Sequence, residues 1–159
     1  MCRPSGITVG QLMIAYATSE NHYKEVNMAG KGLAVSNGHE LVQGVVLMAG
    51  QLGLETHEQV RVARRIWGAV RHIDVVITHP HTRKTLGIEC KYQAVSGTAE
   101  EKIPSVISDI AAWPIPGLVV FAGEGLTENM KLFLTSTGKA VEFSKLKPWL
   151  CLFFGLPLG

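Results

Sequence analysis

The stretch Arg71–Gln93, RHIDVVITHPHTRKTLGIECKYQ, constrains the fold of this chain more than any other. It reads as two strands joined by a polar turn. His72 to Thr78 is an apolar run carrying one acid, Asp74, and Leu86 to Tyr92 carries Glu89, Cys90 and Lys91. Between them, His79-Pro80-His81-Thr82-Arg83-Lys84 cannot continue a strand, because Pro80 lacks an N–H for the ladder and the cluster is polar. Alternate side chains of a strand share a face, so Glu89 and Lys91 point one way and Cys90 the other. Pairing of the two strands lets Asp74 lie beside Glu89.

Two carboxylates that close repel unless a cation lies between them. An oxygen-rich site of this kind suits Mg2+ or Mn2+. A lysine beside such a metal can hold or deprotonate an attacking water. A plainer reading stands next to this one: an acid and a Glu-x-Lys pair on a hairpin commonly form a solvated face with a cross-strand ion pair, contributing about 0.2–1 kcal/mol. The surroundings favour the metal site. Asp74 interrupts Ile-Asp-Val-Val-Ile, and Glu89 and Lys91 interrupt an otherwise apolar strand. Polar groups set in apolar strands are costly to bury unless they are matched.

The pattern Asp74, Glu89-x-Lys91 across a hairpin resembles the PD-(D/E)XK nuclease superfamily, over roughly Gly38 to Phe121. One departure is Ile73, where the superfamily name places a proline. The resemblance implies an α/β fold with a restriction-endonuclease-like core, a mixed central β-sheet flanked by helices in the order αβββαβ. It implies a Mg2+-dependent DNA endonuclease in which Mn2+ can substitute. Asp74, Glu89 and the Cys90 carbonyl would be the metal ligands and Lys91 the residue acting on water. It also brings in Glu40, on the helix before the first core strand, and Gln93, two residues past the lysine, as site residues. For Glu40 a local role at the helix N-terminus stands beside this. Cutting duplex DNA usually needs two such sites, so a homodimer is expected. A non-catalytic DNA-binding or scaffold subunit that keeps the fold is the alternative.

The rest of the chain accords with one domain, residues 1–159, with an N-terminal extension to about 36 and an apolar tail from about 145. Nearly half of the residues (47%) are hydrophobic and 18% charged, which argues against a disordered chain. A net charge of +2 is too small to imply by itself a protein that coats DNA; a nuclease needs only a local basic surface. Arg61, Arg64, Arg65 and Arg71 form the densest basic stretch. It suits phosphate contact, or equally a charged edge strand that resists aggregation. Ser96 and Thr98, in a loop expected over the site, and Lys102 are further DNA-contact candidates. Thr98 with Glu101 also fits a helix capping box. The three cysteines have no C-x-x-C spacing, so neither a disulfide framework nor a zinc ribbon follows. His79 and His81 have no third ligand at suitable spacing and read as exposed turn residues.

The remaining elements follow from caps and periodicity. A helix is expected over Ile7–Ser19, and a glycine-rich connector over Met28–Asn37 that lacks the phosphate-loop pattern. Asn37 caps a helix from Gly38 to Gly50 or Gly53, and a strand runs from Glu55 to Trp67. Helices are expected over Ser105–Ala112 and from Thr127 to Leu134, and strands over Leu118–Ala122 and Ala140–Phe143. The tail, rich in Trp149, Leu150, Phe153 and Phe154, either packs on the core or makes a dimer contact. Arg3 and the apolar run to Ala17 only loosely resemble a signal peptide, since Gly10 and Gln11 break it. No run reaches the roughly 18 residues of a membrane span. With three widely spaced cysteines and no disulfide framework, a reducing cytoplasm is the simplest setting.

Overall fold

The expected hairpin is the middle of a larger sheet in the computed structural model, which describes residues 35–64, 68–95 and 103–158, without the side chains of 63 and 64. Strand β1 spans Glu55–Arg64, β2 Val70–Thr78, β3 Thr85–Tyr92, β4 Gly117–Ala122 and β5 Ala140–Glu142. They lie side by side in chain order. The first three form an antiparallel meander, and β4 and β5 add parallel to β3. Parallel neighbours need crossovers. Helix α2, Ile103–Ala111, supplies one and α3, Glu128–Ser136, the other. Helix α1, Gly38–Gln51, precedes the sheet, and α4, Leu146–Phe154, follows it.

Local chemistry sets these boundaries. The Asn37 side chain accepts the Glu40 N–H at 2.9 Å, which caps α1. Leu41, Val45 and Ala49, spaced by four, form its buried stripe. Thr127 caps α3 by accepting the Met130 N–H. Helix α2 begins at Ile103, before the expected Ser105, because Pro104 falls in the first turn, where a missing N–H is harmless.

Two apolar layers sandwich the sheet. Val75, Ile77, Leu86, Ile88, Leu118 and Val120 pack against α1 and α4. Val119, Phe121 and Ile73 pack on the other side, against Ile103 and Ile110 of α2 and Leu134 of α3. Strand β4 is buried on both faces, as its apolar run requires. The tail belongs to the first layer. Helix α4 buries Leu146, Leu150, Cys151 and Phe154, and Lys84 of the β2–β3 turn donates to the Phe153 carbonyl with its ammonium 4.1 Å from the Phe153 ring.

Some expectations move. Strand β1 ends at Arg64 after a bulge between Arg61 and Ala63, and the stretch to Trp67 lies outside the described residues. Strand β5 stops at Glu142, and Phe143–Lys145 turn as a 3-10 helix into α4. The helix expected over 7–19 and the cap at Thr98 and Glu101 lie outside the described residues. No described helix is long and apolar enough to cross a membrane.

Candidate active site

The β2–β3 ladder runs from Thr78↔Thr85 to Val75↔Ile88 and then stops. The next residue of β2 is Asp74. Its side chain takes over from the backbone: Asp74 Oδ2 accepts the Cys90 N–H at 2.8 Å. The strands therefore part at Asp74, and the carboxylate occupies the opening. The alternation of β2 also breaks here, since Ile73 joins the α2/α3 layer while Val75 joins the α1/α4 layer.

Strand β3 presents three kinds of group at this level. Gly87 N–H and Gln93 N–H donate to Pro116 and Ala122 on the β4 side, whereas Cys90 N–H points to β2. The carbonyl of a strand residue leaves on the same edge as its N–H, so the Cys90 carbonyl also faces the opening by Asp74. The Cys90 side chain packs on the α1/α4 layer, and burial pushes its thiol well above the ordinary range. That thiol is unsuited to chemistry near neutral pH. Glu89 and Lys91 share the opposite face, with Lys91 Nζ 2.7 Å from Glu89 Oε1.

The electrostatics of Glu89 follow from this crowding. Its side chain is 17% exposed. Burial pushes its pKa up, and the charges of Asp74 and Asp109 push the same way, while Lys91 opposes them through its hydrogen bond and charge. The Asp74 carboxylate is thus within electrostatic reach of Glu89 and hydrogen-bonded to the next residue. Asp109, on α2, is held by Arg71 Nη2 at 2.8 Å. Arg71 therefore belongs to a half-buried ion pair and not to a basic surface; its Nε is buried without a hydrogen-bond partner. Arg71→Met is expected to destabilise by about 1.5–3 kcal/mol, the range for hydrogen bonds to charged groups. Asp109→Asn in the same chain should recover part of the loss, and additive single and double variants in urea unfolding would refute the pairing.

The other expected residues are placed as follows. Glu40 is exposed on α1, where the N–H and hydroxyl of Ser36 donate to its Oε2 at 2.8 and 2.7 Å and hold its pKa below the usual range. Among the described residues it shares no hydrogen bond with Asp74, Glu89 or Lys91. Gln93 lies just past the end of β3, and its amide donates to the Val95 carbonyl at 2.7 Å instead of continuing the Glu89–Lys91 face. Arg61 is exposed on β1. The Arg64 side chain, Arg65, Ser96, Thr98 and Lys102 lie outside the described residues. In the turn, His79 Nδ1 accepts the N–H groups of His81 and Thr82, a structural use for that imidazole. Sequence reasoning missed Gln59, whose amide donates to Asp74 Oδ1 at 3.2 Å; the polar run His57-Glu58-Gln59 gives no hint of it.

A family model described as a PD-(D/E)XK nuclease superfamily domain matches residues 15–147. The chain belongs to that superfamily. Its mixed five-stranded sheet with helices on both faces is the restriction-endonuclease-like α/β fold. No curated protein matches the chain. Among solved structures, the chain is similar to a crystal structure of a protein of unknown function, AF1548, with 20% identity and a TM-score of 0.46. That likeness covers 65% of this chain and 58% of the other, so this chain spans less than two thirds of its length.

PD-(D/E)XK nucleases typically use divalent metal ions, and the oxygens here fit one. Among the described residues no three His, Cys, Asp or Glu side chains gather into a complete protein cage. Mg2+ does not need one, because it keeps several waters and takes one or two carboxylates. Asp74 and Glu89 are the two carboxylates at this level of the sheet, and would be the ones to hold such an ion. Each carboxylate oxygen has two lone pairs, so the bonds to Cys90 and Gln59 leave Asp74 able to coordinate.

Proposed function

We infer that this PD-(D/E)XK domain is a metal-dependent endonuclease that hydrolyses phosphodiester bonds in DNA. The observation that carries this is the opening of the β2–β3 ladder. There the Asp74 carboxylate sits on the Cys90 N–H, with Glu89 one residue before it and Lys91 one residue after it. Asp74 and Glu89 would hold Mg2+, or Mn2+ in its place, with the Cys90 carbonyl as a further ligand. Bound there, the ion supplies Lewis-acid polarisation of the scissile phosphate and neutralises charge at the leaving 3′ oxygen.

The chain's own groups supply the rest. Asp74 is fixed from two sides, so its oxygens keep one direction. Lys91 is 40% exposed and can turn from Glu89 to the attacking water, orienting it or, when neutral, taking its proton. Holding water and phosphorus in line contributes much of the rate in such a displacement. Gln93 and Glu40 are further candidates, as the family resemblance implies. DNA contact falls to Arg61, Arg64, Arg65, Ser96, Thr98 and Lys102. A homodimer would give each strand of a duplex its own active site.

The test is an incubation of the purified protein with supercoiled plasmid, linear duplex, single strand and a four-way junction, each with Mg2+, Mn2+, Ca2+ or EDTA. Cleavage that needs Mg2+ or Mn2+ and disappears in Asp74→Asn is the expected result. Preference for plasmid and duplex marks a restriction-like enzyme, and preference for the junction marks a resolving one. Binding that is equal with and without metal, with no substrate cut, would replace this reading with a scaffold subunit that keeps the fold.

A further inference from the structure

Two described non-glycine residues have a left-handed backbone, Gln59 with φ +52° and Arg83 with φ +58°. Arg83 lies in the β2–β3 turn, where such a conformation is ordinary. Gln59 lies inside β1. Its neighbours are paired with β2, Glu58↔Val75 and Val60↔Ile73, and the residue of β2 between those partners is Asp74. A left-handed conformation is uncommon for a residue with a side chain, and inside a strand it gives up regular pairing. Such strain persists where the surroundings over-determine it, and it gathers at functional sites.

What accompanies the strain here is one contact. The Gln59 amide donates to Asp74 Oδ1 at 3.2 Å, while Cys90 N–H holds Oδ2 at 2.8 Å. The two donors come from the two strands that flank Asp74. Together they fix both oxygens of a carboxylate lying where β2 leaves the β3 ladder. With the Cys90 donor alone, the carboxylate would remain free to rotate about that bond.

We propose that Gln59 is a positioning residue for Asp74, and that β1 adopts a strained backbone to place its amide on that carboxylate. The proposal rests on the reading of Asp74 as a metal ligand. A partner that orients a metal-binding carboxylate typically changes metal affinity 10–100-fold when removed. Residue 59 thus trades strand regularity for a pre-aimed ligand. Replacing it by glycine removes both the amide and the strain, since glycine adopts positive φ freely. Replacing it by methionine keeps the strain and nearly the same shape but removes the donor.

The experiment measures Mn2+ binding to the full chain without DNA, from the electron paramagnetic resonance signal of the free ion. It is paired with thermal melting without metal, for the wild type, Gln59→Gly, Gln59→Met and Asp74→Asn. Both Gln59 variants are expected to bind Mn2+ about 10–100-fold more weakly, and Gln59→Gly is expected to melt higher than the wild type. A purely structural role could not raise stability while lowering affinity. Undiminished affinity in both Gln59 variants, with Asp74→Asn weakened, would overturn the role of Gln59 and leave the metal site standing. Mn2+ left unbound by the wild type, or bound equally by Asp74→Asn, would overturn the metal-ligand reading and this proposal with it. A lower melting temperature for Gln59→Gly would overturn the strain.

Discussion

Glu89→Gln is expected to lose metal-dependent cleavage by on the order of 10³-fold or more and yet to melt no lower than the wild type. The first half follows from the metal-ligand role proposed for it. A Lewis acid on the phosphate is worth several kcal/mol of transition-state stabilisation, and each 1.36 kcal/mol is tenfold in rate. The second half follows from its surroundings. Burial is the main cause that pushes the Glu89 pKa up, reinforced by Asp74 and Asp109 and opposed by Lys91. The folded protein therefore holds this proton more tightly than the unfolded chain does. The stability linked to it is fully present below the unfolded value and is lost as pH rises through the raised folded value. Above the unfolded value, without metal, charging Glu89 costs the fold stability, and a neutral amide of the same shape avoids that cost. Lys91→Ala should lose cleavage as well but melt lower, because it takes away the group that favours the Glu89 charge through its hydrogen bond and its own charge. Melting curves at pH 7 in EDTA, set beside plasmid cleavage in Mg2+, check both. A clear drop in melting temperature for Glu89→Gln would sink the electrostatic account, and retained cleavage would sink the site.

The parts of this arrangement that were legible in the sequence are those that a short motif or a period encodes. Asp74, Glu89 and Lys91 could be found because acids in an apolar strand stand out, and the hairpin because Pro80 and its polar neighbours end a strand. The α1 stripe and its Asn37 cap were equally plain. Three features were not. The sequence lets Asp74 lie beside Glu89, and the register Val75↔Ile88 does bring it level with that residue; what the sequence does not show is that the Asp74 side chain also accepts the Cys90 N–H where the ladder stops, because a side chain that substitutes for backbone leaves no periodic trace. Arg71 reads as one of four basic residues, but Asp109, far along the chain and brought near only by the α2 crossover, draws it into an ion pair. Gln59 has a backbone conformation that no propensity assigns to glutamine, so only the assembled strands reveal it. Glu40 illustrates the reverse case. The resemblance implies a site role for it, while its hydrogen bonds among the described residues go to Ser36 at the helix end.

Gly123→Ala is expected to be the most damaging small substitution outside the charged cluster, because the end of β4 is pressed against the chain that leaves the site. Gly123 has φ +100°, and a Cβ there would lie 2.1 Å from the Gln93 carbonyl oxygen and 2.7 Å from its carbon. Those atoms are backbone and cannot swing aside. Gln93 is also tied in place, its N–H to Ala122 at 3.0 Å and its carbonyl to the Gly125 N–H at 2.9 Å. The dihedral costs about 1–2 kcal/mol and the overpacking about 1–3 kcal/mol, so a loss of about 3 kcal/mol or more follows, or roughly 6–12 °C in melting temperature for a chain of this size. Gly138→Ala provides the control. That glycine also has positive φ, +66°, but a Cβ there meets nothing within 4 Å, so it should show the dihedral cost alone. The two variants should differ in function too. Relief of the Gly123 clash must move Gln93, two residues beyond Lys91, and cleavage should fall in the fraction that remains folded. If Gly123→Ala and Gly138→Ala melt alike and cut alike, the contact between the β4 turn and the end of β3 does not hold the site.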